Sequence, residues 1–186
     1  MKLKFFFCAL FIALAIQSFG QDTNLKSYGK IGFGFSGLDV SWDIPVSDKI
    51  LFEAAAGLGA GYFISSGDYN YKWYLDDPVA FFTLHGKYYI NRTKRLKQGK
   101  SIDLNTGSFI GIKAKYVTQT LRYSFNWKTL LIAAHWGMQR PIGKHFSYEF
   151  YAGLGYAVDM SEYNDGGCLY PDLNIRISYI LPFTKK

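Results

Sequence analysis

Long apolar runs are missing from most of this 186-residue sequence. Beyond the first 20 residues, the longest uncharged apolar stretches, such as Leu130–Ala134, fall far short of the roughly 18 residues that a transmembrane helix requires. Charged residues are also few, at 19%, and the apolar residues rarely follow helical spacing. These absences exclude transmembrane helices, coiled coils and disordered tails. The lysines are spread evenly among aromatic residues, which argues against a DNA-binding domain.

The first 20 residues have the three parts of a secretory signal peptide. A short basic start precedes the apolar run Phe5–Ile16, and Ser18 and Gly20 provide the small side chains that a signal peptidase requires. We therefore expect residues 1–20 to be removed and residues 21–186 to form the mature chain. An uncleaved membrane anchor is the alternative interpretation. Nucleic acid is not an expected partner of an exported protein.

Cysteine is scarce, with Cys8 and Cys168 the only two in the sequence. Because Cys8 lies inside the apolar run of the signal peptide, Cys168 is the one cysteine of the expected mature chain. No intrachain disulfide can form there, so the stability of the exported protein must have another source.

Apolar and polar residues alternate along most of the expected mature chain. From Phe146 to Tyr156 the even-numbered positions are apolar or aromatic, and the odd-numbered ones are mostly small or polar. Segments 80–90, 110–116 and 173–183 show the same pattern. A period of two residues predicts β-strands with two different faces. A soluble β-sandwich alternates in the same way and is an alternative.

The alternation divides the chain into eight segments, and we predict an all-β fold, an eight-stranded antiparallel up-and-down transmembrane β-barrel. A change of parity between Phe35 and Leu38 predicts a tight hairpin around Ser36 and Gly37, with a β-bulge as the alternative. The predicted strands lie near 28–36, 37–45, 49–64, 78–91, 105–119, 126–140, 144–158 and 171–183.

One face of the predicted strands carries charges at mid-strand positions, mixed with glycine. In a small barrel this face would line the lumen, where buried charges must pair across the axis. Alternating glycines would leave room there for long side chains. We predict a structural network of lumen charges formed by Glu53, Lys87, Lys113, Lys115, Glu149 and Arg176.

The connections between strands indicate how the barrel would be oriented. Short turns at 45–48 and 141–144 are typical of a periplasmic rim, and segments 65–77, 120–125 and 159–170 would be external loops. The basic segment Arg92–Lys100 is long for a periplasmic turn. We expect a solvated loop there, with contact to anionic headgroups or to a partner protein as alternatives.

Several structural motifs resemble those of small OmpA-like outer-membrane β-barrel proteins of the Bacteroidetes type. The resemblance covers the whole expected mature chain, and it implies a location in the outer membrane, contact with outer-membrane lipid and a possible outer-membrane protein complex. Many members of this group have no known activity. Such barrels commonly end on an aromatic residue, whereas Phe183 is followed by three further residues. The motifs are Tyr88–Asn91, Trp136–Lys144, Ala152–Tyr156 and Pro171–Asn174.

Possible catalytic and metal-binding sets are weak. His85 and His135 lie on different predicted strands without a partner at metal-ligand spacing. His145, Ser147 and Glu149 resemble a hydrolytic set, but successive members on one strand stand about 7 Å apart. The acidic and amide side chains at positions 159, 162, 164 and 165 lack the spacing of a calcium loop. We predict no catalysis, no metal and no cofactor.

The prediction is therefore a non-catalytic outer-membrane barrel, with a structural role or a binding role in which external loops contact a partner or ligand. Two alternatives remain open. One is a lipid-modifying outer-membrane barrel enzyme, and the other is a secreted soluble β-barrel that binds a small apolar ligand.

Overall fold

Ten strands and one short helix make up the part of the chain that the computed structural model describes, residues 25–65, 68–72, 78–121, 128–160 and 167–181. The predicted signal peptide lies outside these residues. The elements are β1 (Gly29–Gly34), β2 (Gly37–Pro45), β3 (Ile50–Gly59), β4 (Gly61–Ser65), β5 (Asp68–Lys72), β6 (Val79–Tyr89), α1 (Arg92–Lys97), β7 (Gly107–Thr120), β8 (Thr129–Ile142), β9 (Phe146–Asp159) and β10 (Gly167–Ile180).

Eight of these strands form a closed antiparallel barrel in up-and-down order, which confirms the predicted all-β fold. Each barrel strand pairs with the next one along the chain, and β1 pairs with β10 to close the barrel. The barrel strands are β1, β2, β3, β6, β7, β8, β9 and β10. Strands β4 and β5 form a separate two-stranded sheet. Within the described ranges, no helix has the length and apolar character needed to cross a membrane.

The predicted hairpin between the first two strands is confirmed. Residues Phe35 and Ser36 form the turn, and Gly34 pairs with Gly37. Gly37 has a φ of +123°, a conformation that residues with a side chain rarely adopt. The parity change is therefore a true reversal of the chain.

The two ends of the barrel differ. At the end that we call the turn end, the short connections 46–49 and 143–145 join neighbouring strands, and the described chain begins at Leu25 and ends at Leu181. At the opposite end, the loop end, β3 is followed by the β4–β5 hairpin. Strand β4 lies close to β7, β8 and β9, and β5 lies close to β10, so the hairpin reaches across this mouth.

The third barrel strand is shorter than the predicted 49–64, because it ends at Gly59. There the chain packs against the first hairpin: the backbone N–H of Ala60 donates to the Ser36 carbonyl at 3.2 Å. A Cβ atom at Gly59 would lie only 2.0 Å from that carbonyl oxygen. The close approach ends the ladder, and residues predicted as strand or external loop form β4 and β5 instead.

The last barrel strand begins at Gly167, earlier than the predicted 171. Cys168 and Tyr170 are buried and continue the inward alternation. Pro171 pairs with Leu154 and lies on the exposed face. Pro171, where the predicted strand began, thus lies inside the observed strand.

The basic segment predicted as a solvated loop contains α1. Its arginines, lysines and leucine favour a helix, and Gly99 follows with a φ of +67°. We call residues 91–106, which join β6 to β7 at the turn end, the cap segment. Asn105 anchors it: its side chain accepts from the Lys26 backbone N–H at 2.9 Å and donates to the Lys26 carbonyl at 2.8 Å and to Asp43 Oδ2 at 3.0 Å.

The barrel is apolar outside and polar inside at mid-height. On neighbouring positions of β7, Ile112 is 67% exposed and Lys113 is 6% exposed. Leu154 on β9 is 70% exposed, whereas Glu149 on the same strand is buried. The whole outer surface carries large apolar side chains, including those of Phe33, Trp42, Phe82, Ile132 and Ile175.

Two apolar clusters lie inside the barrel, one near each end, and the charged side chains lie between them. The turn-end cluster consists of Leu25, Leu51, Tyr89, Phe109 and Tyr151. The loop-end cluster consists of Val79, Phe81, Val117, Leu131, Ala133, Ala157, Cys168 and Tyr170.

Candidate functional site

The middle of the barrel holds a balanced set of charged side chains. Each occupies an inward position of its strand, next to outward apolar residues, so the period of two residues brings all of them into the lumen. The basic members are Lys30, Lys87, Lys113, Lys115 and Arg176, and the acidic members are Asp39, Asp43, Glu53, Glu149 and Asp172, all buried.

Glu53 on β3 is the centre of the larger group, which we call the Glu53 network. Lys30 and Lys87 donate to Glu53 Oε2, at 2.6 Å and 2.8 Å. Arg176 donates to Glu53 Oε1. Three cations from strands β1, β6 and β10 thus converge on one carboxylate.

Each of these cations also has a second carboxylate partner. Lys30 Nζ lies 2.7 Å from Asp43 Oδ1. Lys87 forms an ion pair with Glu149, and Arg176 forms one with Asp39. Buried charges require such pairing, because removal of one partner leaves the other desolvated at a cost of about 3–5 kcal/mol. The Glu53 network therefore fixes six of the eight barrel strands, all except β7 and β8, relative to one another.

Arg176 reaches its partners by crossing β1. A Cβ atom at Gly32 would lie 2.2 Å from Arg176 Nε, so the guanidinium occupies the space that a side chain would fill. From β10 it extends over Gly32 and also donates to Ser41 Oγ on β2, at 2.7 Å. Gly32 therefore provides the room that the alternating glycines led us to expect.

A second group, the histidine network, joins the five strands β6 to β10 and so includes β7 and β8, which the Glu53 network leaves out. His85 Nε2 and His135 Nε2 lie 2.7 Å apart, and His135 Nδ1 lies 3.0 Å from Asp172 Oδ2. Lys113 forms an ion pair with the other oxygen of Asp172 and donates to the Tyr151 hydroxyl at 3.1 Å. The Tyr151 ring stacks on His135, with centroids 4.2 Å apart.

A glycine is essential to the histidine contact. Gly111 lies on β7, between the strands that carry the two histidines. A Cβ atom there would lie 2.5 Å from His135 Nε2 and 2.6 Å from His85 Nε2. The two imidazole rings therefore contact each other over Gly111, where β7 has no side chain.

The structure distributes the six predicted lumen residues over three places. Glu53, Lys87, Glu149 and Arg176 lie together in the Glu53 network, and Lys113 belongs to the histidine network. Lys115 lies nearer the loop end, with its Nζ 4.2 Å from the centroid of the Phe81 ring. A cation above an aromatic face is stabilised by the ring quadrupole.

Six charged or imidazole side chains of these networks were not among the six predicted lumen charges. Their inward parity was visible in the sequence, but nothing there indicated which partners they would reach. They are Lys30, Asp39, Asp43, His85, His135 and Asp172.

The space left among these side chains is small. A cavity of about 40 Å³ is lined by residues that include Glu53, His85, Glu149 and Arg176. That volume suits one or two water molecules. The mid-height interior is thus filled by side chains, as expected for an eight-stranded barrel.

Other possible sites do not assemble among the described residues. His145 is exposed in the turn before β9, whereas Ser147 and Glu149 are buried, and Glu149 pairs with Lys87. Asp159 is described, but positions 162, 164 and 165 of the possible calcium loop lie outside the described residues. Within those residues, no group of three His, Cys, Asp or Glu side chains is placed to hold a metal ion.

No protein-family model matches the chain, and comparison with curated proteins and with solved structures finds no match.

Proposed function

We propose that the protein is a non-catalytic outer-membrane β-barrel of the small OmpA-like kind, anchored in the outer membrane, with a loop end that contacts a partner or ligand. In this proposal the turn end faces the periplasm and the loop end faces outward. The main support for this proposal is the apolar outer surface of the barrel.

That surface is apolar all around the barrel. Side chains such as Leu84, Ile112, Leu154 and Leu173 are each more than half exposed. Monomeric soluble proteins rarely expose contiguous apolar patches larger than a few hundred Å². In a closed barrel each strand pairs with both of its neighbours, so such a surface can face lipid with few backbone groups of the wall unpaired.

The filled interior favours a membrane-anchored barrel over a barrel that holds a ligand in its lumen. Small-molecule sites are typically ~300–1,000 Å³ and mostly apolar. The cavity of about 40 Å³ beside Glu53 and Arg176 is much smaller and is lined by charges. These features favour the membrane barrel over a soluble carrier that holds an apolar ligand inside the barrel.

The loop end is the proposed contact surface. Stretches of sequence at this end, such as 66–71 and 159–168, are rich in Asp, Asn, Gly and Tyr. Aromatic and amide side chains are common in recognition surfaces, because they combine large contact area with hydrogen bonding. The β4–β5 hairpin gives part of this surface a regular backbone.

Fractionation of cells tests the location. We expect the protein in the outer-membrane fraction, with a gel mobility that changes on heating because the folded barrel resists detergent until it is boiled. A soluble protein with no heat-dependent shift would contradict the proposal.

Removal of the gene tests the absence of catalysis. We expect the lipid A and phospholipid profiles of the deletion strain to match the parent. A specific change in either profile, restored by the wild-type gene, would support the lipid-modifying alternative. Proteins that co-purify from the outer membrane in mild detergent would identify candidate partners for the loop end.

A further inference from the structure

The arginines of the cap segment bind its own backbone. Arg92 Nη1 donates to the carbonyls of Ile102 and Thr106, at 3.2 Å and 3.1 Å. Arg95 donates through Nε and Nη2 to the Ser101 carbonyl, at 3.2 Å and 2.9 Å. Burial lowers the pKa of the Arg92 guanidinium, which nevertheless remains charged at neutral pH. These contacts hold the cap segment in one shape, and the hydrogen bonds of Asn105 to Lys26 and Asp43 attach it to the barrel.

The lysines of the cap segment have a different position. Lys94, Lys97 and Lys100 are exposed, and none of them takes part in an ion pair within the described part of the chain. Asp103 is the one acidic residue between positions 91 and 106, and its carboxylate accepts from the Ser101 hydroxyl at 2.8 Å. The outer side of the cap segment is therefore a basic surface on a fixed backbone.

This basic surface lies at the edge of the apolar outer face. Ile90, 50% exposed, comes just before the cap segment, and Ile110, 54% exposed, follows it. Lys94 is four residues beyond Ile90, which is at most about 14 Å of chain. Leu96 is 45% exposed between the lysines. A lysine at this depth can keep its stem in the apolar region and its ammonium group among headgroups.

We propose that the exposed face of the cap segment, formed by Lys94, Leu96, Lys97 and Lys100, binds anionic phospholipid headgroups of the leaflet at the turn end. The proposal rests on the membrane location proposed above. The group recognised is a phosphodiester whose negative charge is not balanced by an ammonium group in the same headgroup, and Leu96 enters the acyl boundary beside it. The positive charge suits any anionic partner, and continuity with the apolar wall at Ile90, Leu96 and Ile110 favours lipid over an acidic protein as the occupant.

Lipid selectivity of the reconstituted protein tests this inference. The protein, purified from membranes in the form that the cell produces, is placed in phosphatidylcholine vesicles with or without about one-third phosphatidylglycerol. Spin-labelled lipids then give the association constant of phosphatidylglycerol relative to phosphatidylcholine. We expect preference for phosphatidylglycerol, because each lysine near an anionic surface contributes about fivefold. The preference should vanish in about 1 M salt, where the screening length is about 3 Å.

Two triple variants of equal charge provide the comparison. In the variant Lys94→Gln/Lys97→Gln/Lys100→Gln, we expect the relative association constant for phosphatidylglycerol to fall by at least about tenfold. The matched control Lys26→Gln/Lys49→Gln/Lys144→Gln removes three lysines from exposed positions elsewhere at the turn end and should keep most of it. Equal losses in both variants would mean that net charge alone acts, and would overturn the inference.

The remaining outcomes separate the two proposals. If the wild-type protein inserts but shows no lipid preference, the cap face does not bind anionic lipid, and an acidic protein becomes the occupant to seek. If the protein does not insert into either kind of vesicle, the membrane location itself is contradicted, and the inference fails with it. A Leu96→Ser variant should retain salt-sensitive selectivity at reduced strength.

Discussion

The Nε2 atoms of His85 and His135 lie 2.7 Å apart inside the barrel, although 50 residues separate them in the sequence. A hydrogen bond between two imidazoles requires one donor and one acceptor. With an N–H of His135 Nδ1 directed to Asp172, a neutral His135 accepts at Nε2 from His85. The geometry thus fixes one tautomer for each neutral ring, and it depends on the absence of a side chain at Gly111.

Replacement of that glycine should disrupt the histidine network. A Gly111→Ala variant places Cβ against both Nε2 atoms, at 2.5 Å and 2.6 Å, so we expect a loss of about 1–3 kcal/mol in the free energy of unfolding. Urea titration of the reconstituted protein measures it. In the control Gly86→Ala, the nearest atom, in the Phe52 ring, is 3.3 Å away, and the loss should be smaller. Equal losses of stability in the Gly111→Ala and Gly86→Ala variants would show that the histidine contact does not depend on the missing side chain at Gly111.

Neutralisation of Glu53 should be strongly destabilising. The Glu53→Gln variant removes the charge that Lys30, Lys87 and Arg176 share and leaves each of them one carboxylate partner, so we expect a loss of about 1.5–3 kcal/mol in the free energy of unfolding, as for a lost hydrogen bond to a charged group. The same urea titration measures the change. The exposed Asp103→Asn, in which the amide oxygen can still accept from Ser101, should change stability by less than about 0.5 kcal/mol. A Glu53→Gln protein as stable as wild type would show that the Glu53 network contributes little to stability.

On the proposed membrane location, the cost of lysine substitutions on the outer face should depend on their depth in the bilayer. Ile112 lies near the middle of β7, so Ile112→Lys should cost about 2–4 kcal/mol in a bilayer. Ile142, at the turn end of β8, is the control, because near the interface the cost falls to about 0–1 kcal/mol. Vesicle unfolding compares the two variants. Near-neutral effects of both would indicate that water, rather than lipid, surrounds this face.

Loss of the Asn105 side chain should release the cap segment from the barrel. Asn105→Ala removes the hydrogen bonds to Lys26 and Asp43, so we expect trypsin to cleave at Lys94 and Lys97 while the barrel strands remain protected. Peptide mapping by mass spectrometry measures the cleavage. The exposed Thr93→Ala serves as the control and should be cleaved as slowly as wild type. Equal cleavage of both variants would mean that other contacts hold the cap segment.

Parity in the sequence predicted most of the barrel, because in a strand it determines which side chains face inward. It placed Glu53, Lys87 and Arg176 in the lumen, where the structure has them. It did not determine which carboxylate each cation meets, since that depends on strand register and on how the sheet closes. His85 and His135 are an example: they share inward parity on strands separated by β7, and their contact required the bare position of Gly111.

The cap segment was harder to predict for a different reason. A six-residue helix is too short to be stable alone, so the helix-forming residues of α1 were a weak signal. Its position depends on Asn105 and Arg92, whose partners lie at the start of the described chain, on β2 and in the segment itself. Such contacts are set by the completed barrel rather than by local sequence.

The shortness of β1 has a consequence for how the barrel closes. This strand has six residues, whereas its closing partner β10 has fourteen, so the seam between the first and last strands has few backbone hydrogen bonds. Arg176 spans this seam from within: it starts on β10, passes over Gly32 and binds Asp39 on β2 and Glu53 on β3. The Arg176 guanidinium therefore links strands across the short β1–β10 pairing from inside the barrel, and it can do so only after the first and last strands have paired.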